Sequence, residues 1–530
     1  MTNNSANRSV LIIITSMAFI CLCLCVLTIG GVFAFREEVA EAVPALGPVL
    51  SARQATATPV IRPTRTLAPT RTSRPTEPAA FTVEAATEVP APTEAPAPTE
   101  APLPTEKKAP AETPEPTTAP ATEAPTATQR PASDLPADVA SSMDEIQQQI
   151  INLRGLQPSG VFYRDVLTPD QLRENVLNDF NEDNTPEDIR NDVAVLSTLG
   201  LIEADFDLGT FYTDLLSEQI AGYYDDETKE MYVVGEQFGG MERLTYSHEY
   251  VHALQDQNYD IANGLQYDTE PCEQDSERCA GVQALLEGDA SLAQMSWFSQ
   301  YATAQDYTDI MEFYNSFQMP VYDSAPEYMK EDFMFPYEAG QTFVEHLYEQ
   351  GGWEAVDAAY ADVPVSTEQI MHPERYPDDR PVPVELADFT SALGDGWEEI
   401  DRGVMGEWYT YLILSKGVDS AFRLDESSAS TAAEGWGGDA YAAYYQEQSG
   451  GTVFVLSYEW ETLGDANEFA SALVEYGTLR FGQPETSDAS QTAWDYADGY
   501  SIFRQTGQTT QWVIAPSLAA AEAVWAVIAP

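Results

Sequence analysis

The stretch "TYSHEYVHALQDQ", Thr245–Gln257, holds two of the chain's four histidines. His248 and His252 stand four positions apart, and Glu249 follows the first directly. On an α-helix, residues four apart stack on one face, so both imidazoles can aim at one point. Glu249 lies about 100° around the axis. From there its carboxylate can reach a water beside a metal ion without ligating the ion. A catalytic zinc centre needs three protein ligands and leaves a fourth position for water. The competing reading is two surface histidines on an ordinary amphipathic helix, and a third ligand decides between them.

One class of such sites places a third histidine six residues after the second. Here that position is Asn258, which excludes that class. Further on, "VQALLEGDASLAQM" has the spacing of a helix, with Glu287 between "ALL" and "GDA". Glu287 lies 287 − 252 = 35 residues beyond His252. Burying a carboxylate among apolar neighbours is costly unless something pairs it, and zinc would do so. Glu287 is therefore the candidate third ligand, against the plainer reading of a residue on a helix surface.

These residues need a frame. "IAGYYDDETKEMYVVG" sets aromatic and β-branched residues around a polar turn, which predicts a β-hairpin. Gly239 and Gly240 break it, and the histidine-bearing helix follows. Upstream, "SSMDEIQQQIINLRGL" has helical apolar spacing at Met143, Ile146, Ile150 and Leu153. "TPDQL" at Thr168 and "TPEDI" at Thr185 each offer an N-cap, a proline at the first helical position and a partner residue at the third. Cys272 and Cys279 flank "EQDSER" in a polar stretch read as a loop, with spacing that a disulfide can close in an oxidising compartment.

H-E-x-x-H followed by E-G-x-A on a later helix resembles the gluzincin branch of zinc metallopeptidases, which includes thermolysin-like and collagenase-like enzymes. The fuller set is "GYYDDETKEMYV", "HEYVHALQDQ", "LLEGDA", "PYEAGQTFVEHLYEQGGW" and "STEQIMHPERY". It is similar to a group of secreted and membrane-anchored bacterial metallopeptidases, over about Phe206 to Pro383. The resemblance implies His248, His252 and Glu287 as zinc ligands and Glu249 as general base. Thermolysin-like sites carry an aspartate four residues after the third ligand, to orient a zinc-bound histidine. Here Ser291 holds that position, leaving Asp289 or Asp256 as candidates for the role. For the oxyanion donor the candidates are His372, Tyr376 and Tyr337, with His372 first. His346, inside "GQTFVEHLYEQ", reads as structural. The strand "EMYVVG" is expected to offer an edge for an extended peptide substrate, again from the resemblance.

Of the chain's 530 residues, 25 are Lys or Arg and 86 are Asp or Glu, a formal net charge of −61. Such a chain repels phosphate backbones, which argues against nucleic acid as a partner. Val10–Phe35 is almost wholly apolar, and at about 1.5 Å per residue it is long enough to cross a bilayer. Arg8 before it and Glu37, Glu38 and Glu41 after it suggest an anchor with everything downstream outside the cytoplasm. A cleaved signal peptide is the alternative. Gln54–Ser133 is dominated by Thr, Pro, Ala and Glu, with Phe81 as its one aromatic. It reads as a disordered stalk reaching on the order of 200 Å.

The expected organisation is a cytoplasmic tip and transmembrane anchor (1–35), a stalk (36–135), a zinc metallopeptidase domain (136–386) and a small C-terminal α+β unit (387–530). The fold class is α+β: a zincin-like domain with a small sheet and active-site helix, then a helical subdomain, then the C-terminal unit. In that unit "GEWYTYLILSKGV", "DANEFASALVEYGTLRF" and "SLAAAEAVWAVI" read as helices. "AYAAYYQEQ" and "TVFVLSYEWET" read as strands, and "YSIFRQTGQTTQWVIAPS" as a hairpin. The expected function is hydrolysis of peptide bonds in a protein or peptide substrate, with Zn2+ as cofactor. The alternatives are a zinc hydrolase of non-peptide amides or esters, and a non-catalytic cell-surface binding protein with a vestigial site.

Overall fold

A computed structural model describes residues 135–528, apart from 227, 236, 489 and 490. The expected anchor and stalk lie outside the described residues. Among the described residues no helix is long and apolar enough to cross a membrane. The architecture is mixed α and β, as the sequence predicts.

The chain enters through α1 (Ala137–Arg154), whose inward stripe is Met143, Ile146 and Ile150. The expected fourth member, Leu153, is only half-buried. Stepping on by four from Ile150 gives Arg154 instead, and its side chain is fully buried. Strand β1 (Tyr163–Leu167) leads into α2 (Pro169–Asp183) and α3 (Pro186–Leu199). Both helices start on the expected capping boxes, Thr168 with Gln171 and Thr185 with Asp188. Helix α4 (Leu208–Gln219) precedes the hairpin β2 (Gly222–Asp225) and β3 (Glu230–Val234).

The hairpin forms as predicted, but its second strand is not an edge. In the three-stranded sheet the order is β1–β3–β2, with β1 parallel and β2 antiparallel to β3. Tyr163 pairs with Glu230 and Leu167 with Val234, so β1 covers the side of "EMYVVG" expected to receive substrate. The free edges of this sheet are β1 and β2.

Next come α5 (Gly240–Tyr259), the short α6 (Thr269–Gln274) and the long α7 (Ser276–Tyr301). The stretch read as a cysteine loop is helical on both sides of Asp275. Asp268 caps α6 and Asp275 caps α7, which gives each short run its own start signal. Cys272 and Cys279 form a disulfide across that junction. The helices α8 (Ala304–Ser316), α9 (Pro320–Ser324), α10 (Glu327–Gly351), α11 (Trp353–Ala359) and α12 (Thr367–Met371) complete the helical part.

Helices α7 and α10 cross without side chains between them. A Cβ on Gly288 would come within 2.1 Å of the Gly340 carbonyl oxygen, and one on Gly340 within 2.2 Å of the Ala284 carbonyl oxygen. Leu285, Leu286, Phe343 and Val344 close the apolar core around this contact. The two glycines of "LLEGDA" and "PYEAGQ" are thus a backbone-to-backbone joint beside Glu287.

The rest of the chain gives α13 (Thr390–Leu393), β4 (Glu398–Gly403), α14 (Gly406–Ser415), α15 (Glu426–Ala433), β5 (Trp436–Gln446) and β6 (Gly451–Trp460). It ends with α16 (Leu463–Phe481), β7 (Thr486–Ser487), β8 (Thr492–Tyr496), β9 (Gly499–Thr506), β10 (Thr509–Ala515) and α17 (Leu518–Ile528). The expected helices fall on α14, α16 and α17 and the expected strands and hairpin on β5, β6, β9 and β10, while α13, β4, α15, β7 and β8 were not expected; the cap of α16 is Thr462, with Asp465 as its capping-box partner. The strands build one antiparallel sheet in the order β4–β5–β6–β10–β9–β8–β7.

Alternation sorts the strand residues onto two faces. Tyr441, Phe454, Leu456 and Trp512 join Phe469 and Leu473 of α16, in a cluster that also takes in Leu196 of α3 and Leu216 of α4. Tyr444, Val453, Val455 and Val513 pack instead on Ala521 and Val524 of α17.

Gly340→Ala must push α7 and α10 apart, at about 1–3 kcal/mol, and is expected to lower the melting temperature. Gly209→Ala, whose new Cβ would meet Ile189 at an ordinary 3.7 Å, is the matched control. It is expected to leave stability unchanged or raise it by up to about 1 kcal/mol. Thermal unfolding of the two variants checks this.

Candidate metal centre

Helix α5 is buried on almost every side, with Tyr246, Ser247, His248, Glu249, Val251, His252, Ala253 and Leu254 all closed to solvent. The reading of His248 and His252 as surface residues on an amphipathic helix therefore fails. The two imidazoles lie with ring centres 4.7 Å apart and planes 76° from parallel. Glu287, on α7, reaches the same point. Its Oε2 is 3.1 Å from His248 Nε2 and 3.5 Å from His252 Nε2. An ion holding tetrahedral donors at about 2.0–2.1 Å separates those donors by about 3.3 Å. The spacing thus fits a small divalent cation held by two nitrogens and an oxygen. Moreover, Glu287 Oε1 is buried without a hydrogen-bond partner, which is costly in a site with no ion to engage the carboxylate.

The outer partners fix the ligand chemistry. Gln255 Nε2 donates to the Leu286 carbonyl (2.9 Å), to Asp289 Oδ2 (3.0 Å) and to the Tyr360 hydroxyl (2.9 Å). The Tyr360 hydroxyl in turn donates to Asp289 Oδ2 at 2.7 Å. With the amide nitrogen so held, Gln255 Oε1 faces His252 Nδ1 at 2.7 Å and can only accept. His252 therefore carries its proton on Nδ1, and the Nε2 lone pair points towards Glu287. This is the tautomer a metal needs.

The role weighed for Asp289 and Asp256 falls directly to Gln255. Asp289 stands one bond further back and is gripped by Arg154. Asp256 accepts from the Tyr224 hydroxyl (2.8 Å) and Lys229 Nζ (2.7 Å), which ties the hairpin onto α5. Ser291, in the place of the thermolysin-type aspartate, only returns its hydroxyl to the Glu287 carbonyl.

Glu249 is fully buried beside β2. A Cβ on Gly222 would lie 2.7 Å from Thr245 Cγ2 and 3.5 Å from Glu249 Cγ, so only glycine lets this strand pass so close to the helix. Tyr267 faces the same region, and the sequence reading missed it. Burial raises its phenol well above the usual range, and the negative charges of Glu287 and Asp226 add to the rise. It packs against the Cys272–Cys279 disulfide. No local pattern marks it, because its place depends on that cross-link and on α7.

The other expected site residues have separate partners. His372 Nε2 lies 2.9 Å from Glu407 Oε1, and the bond raises the imidazole's pKa. The Tyr376 hydroxyl donates to the Asp362 carbonyl at 2.5 Å, its ring meets Phe343 edge-on, and burial pushes the phenol up to about 12. Tyr337 packs with Met334, and His346 sits half-buried on α10 beside Gln350. A second acidic group, Glu368, Asp379 and Glu461, already surrounds Arg375.

Two buried glutamates on α7 show what decides the charge. Burial presses Glu287 upward, but the imidazoles of His252 and His248 outweigh it and hold the carboxylate below its ordinary value. Burial likewise lowers His248, against the pull of Glu287. Glu277 has no cation facing it. Burial lifts it to about 8, although Thr367 donates to it from both backbone and hydroxyl.

One family model matches the chain, over residues 393–525, with the description "Domain of unknown function (DUF8575)". That span carries the seven-stranded sheet with α14–α17 and none of the metal-centre residues. No curated protein and no solved structure matches the chain.

The folded chain keeps a proton on Glu277 that the unfolded chain releases above the ordinary 4.5. Stability from this group is therefore present at low pH and lost as pH rises from about 4.5 through about 8. Glu277→Gln keeps the acceptor for Thr367 and removes the charge. It is expected to melt above the parent chain at about pH 8.5, with the gap closing near pH 5. Melts across that range check the sign.

Proposed function

We propose that this chain is a zinc-dependent metallopeptidase of the gluzincin type, anchored in a membrane with its catalytic part outside the cytoplasm. The observation that carries the reading is the meeting of His248 Nε2, His252 Nε2 and Glu287 Oε2 at donor spacing for one ion, with buried Glu249 beside them. Three protein donors suit a catalytic centre, because a structural zinc site closes with four.

Zinc bound there would polarise a water and lower its pKa towards neutrality. Glu249 would serve as the base that takes the water's proton as the peptide carbonyl is attacked. It then returns that proton to the leaving amine. His252, with its Nδ1 on the Gln255 oxygen, would offer its Nε2 lone pair to the ion. Tyr267, His372 and Tyr376 are the donors to test for the oxyanion. An extended substrate would pair with β1 or β2, the free edges of the small sheet.

A purely binding protein has no use for a buried carboxylate next to its metal ligands, which favours the hydrolase over the binding reading. Glu249→Gln is expected to keep stoichiometric zinc and lose peptide hydrolysis by about 10²–10⁴-fold. A chelator is expected to abolish the parent activity, and zinc to restore it. An unchanged hydrolytic rate in the variant, or full activity in a metal-free chain, would discard the mechanism.

A further inference from the structure

The innermost polar group of α1 is Arg154, at the end of that helix and closed to solvent. Its Nε lies 2.5 Å from Asp289 Oδ1 and its Nη2 3.0 Å from Asp289 Oδ2, a two-pronged grip. Its Nη1 lies 2.7 Å from Asp357 Oδ1, and the guanidinium sits 4.5 Å over the Trp353 ring. A buried arginine fixed on three sides is costly to assemble, and breaking such a pair is severe. Helix packing alone does not call for it: an apolar residue would continue the stripe of Met143, Ile146 and Ile150.

We propose that Arg154 is a positioning residue that sets the tautomer of the metal ligand His252, through Asp289 and Gln255. The proposal rests on the metal-site reading above and deepens it. Asp289 is held so that Oδ2 faces Gln255 and can only accept. Gln255 must then present its amide nitrogen to Asp289 and its amide oxygen to His252. If the amide turned over, its N–H would meet His252 Nδ1. The proton would then move to Nε2, and Nε2 could no longer bind a cation. Four residues from three elements, α1, α7 and α5, thus carry one constraint from α1 to the metal face, and the site is incomplete without that first helix.

The test uses the full-length chain with 15N-histidine, whose four imidazoles give few enough signals for solid-state 15N spectra. A His252→Gln variant assigns the His252 pair. Zinc affinity is measured by competition with a chelating dye. In the metal-free parent chain, His252 is expected to carry its proton on Nδ1. Arg154→Met is expected to shift it towards Nε2–H and to weaken zinc about 10–100-fold, with Arg154→Lys falling between.

Asp289→Asn serves if Arg154→Met fails to fold. An asparagine amide there faces a donor whichever way it turns, with either Arg154 or Gln255, so the same shift and weakening are expected. A folded Arg154→Met or Asp289→Asn chain with parental tautomer and parental affinity overturns the proposal. So does a loss of thermal stability with no change of tautomer. A parent chain that takes up no zinc would instead sink the metallopeptidase reading, while the tautomer in the metal-free chain still judges the relay.

Discussion

The carboxylate of Glu287 is fully buried yet held below its ordinary pKa, and much of the surrounding structure is arranged to allow that. An isolated charge there would shift its pKa and neutralise rather than stay charged. Two imidazoles from α5 prevent this, and they can do so only if α5 and α7 hold a fixed distance and rotation. The bare crossing of Gly288 and Gly340 sets α7 against α10, and Gly222 lets β2 close over Glu249. Asp256 fastens the hairpin to α5 through Tyr224 and Lys229. None of these contacts involves His248, His252 or the Glu287 carboxylate, yet each fixes an element that carries one of them.

The contrast along α7 explains why burial alone is a poor guide to function. Glu277 and Glu287 are both enclosed on the same helix. One faces hydroxyl and amide donors and tends to be neutral. The other faces two imidazoles, which outweigh burial and hold it below its ordinary value. The partner, not the depth, separates a structural carboxyl from the candidate metal ligand.

Much of the frame was legible in the sequence because it is written in short range. The capping boxes at Thr168 and Thr185, the hairpin before α5 and the strands and helices after Ala387 all rest on neighbours a few residues apart. His248, Glu249 and His252 were legible for the same reason, and Glu287 because an acid amid apolar residues needs a partner. What escaped depends on distant contacts. Strand β1 became a strand by lying parallel to β3, far along the chain, which removed the expected substrate edge from Glu230–Val234. Gln255 sits inside the motif itself, but its role is set by Leu286, Asp289 and Tyr360. Arg154 and Tyr267 carry no local signal, since their places depend on Asp289, Asp357 and the Cys272–Cys279 cross-link.

The bond between Cys272 and Cys279 also has a consequence for metal choice. Thiolates are softer donors than carboxylates and compete strongly for zinc. In reduced form this pair would set two sulfurs against Tyr267, the residue that faces Glu287. Joined to one another they offer no thiolate at all. A cation at the proposed site of His248, His252 and Glu287 would then meet only nitrogen and oxygen donors there.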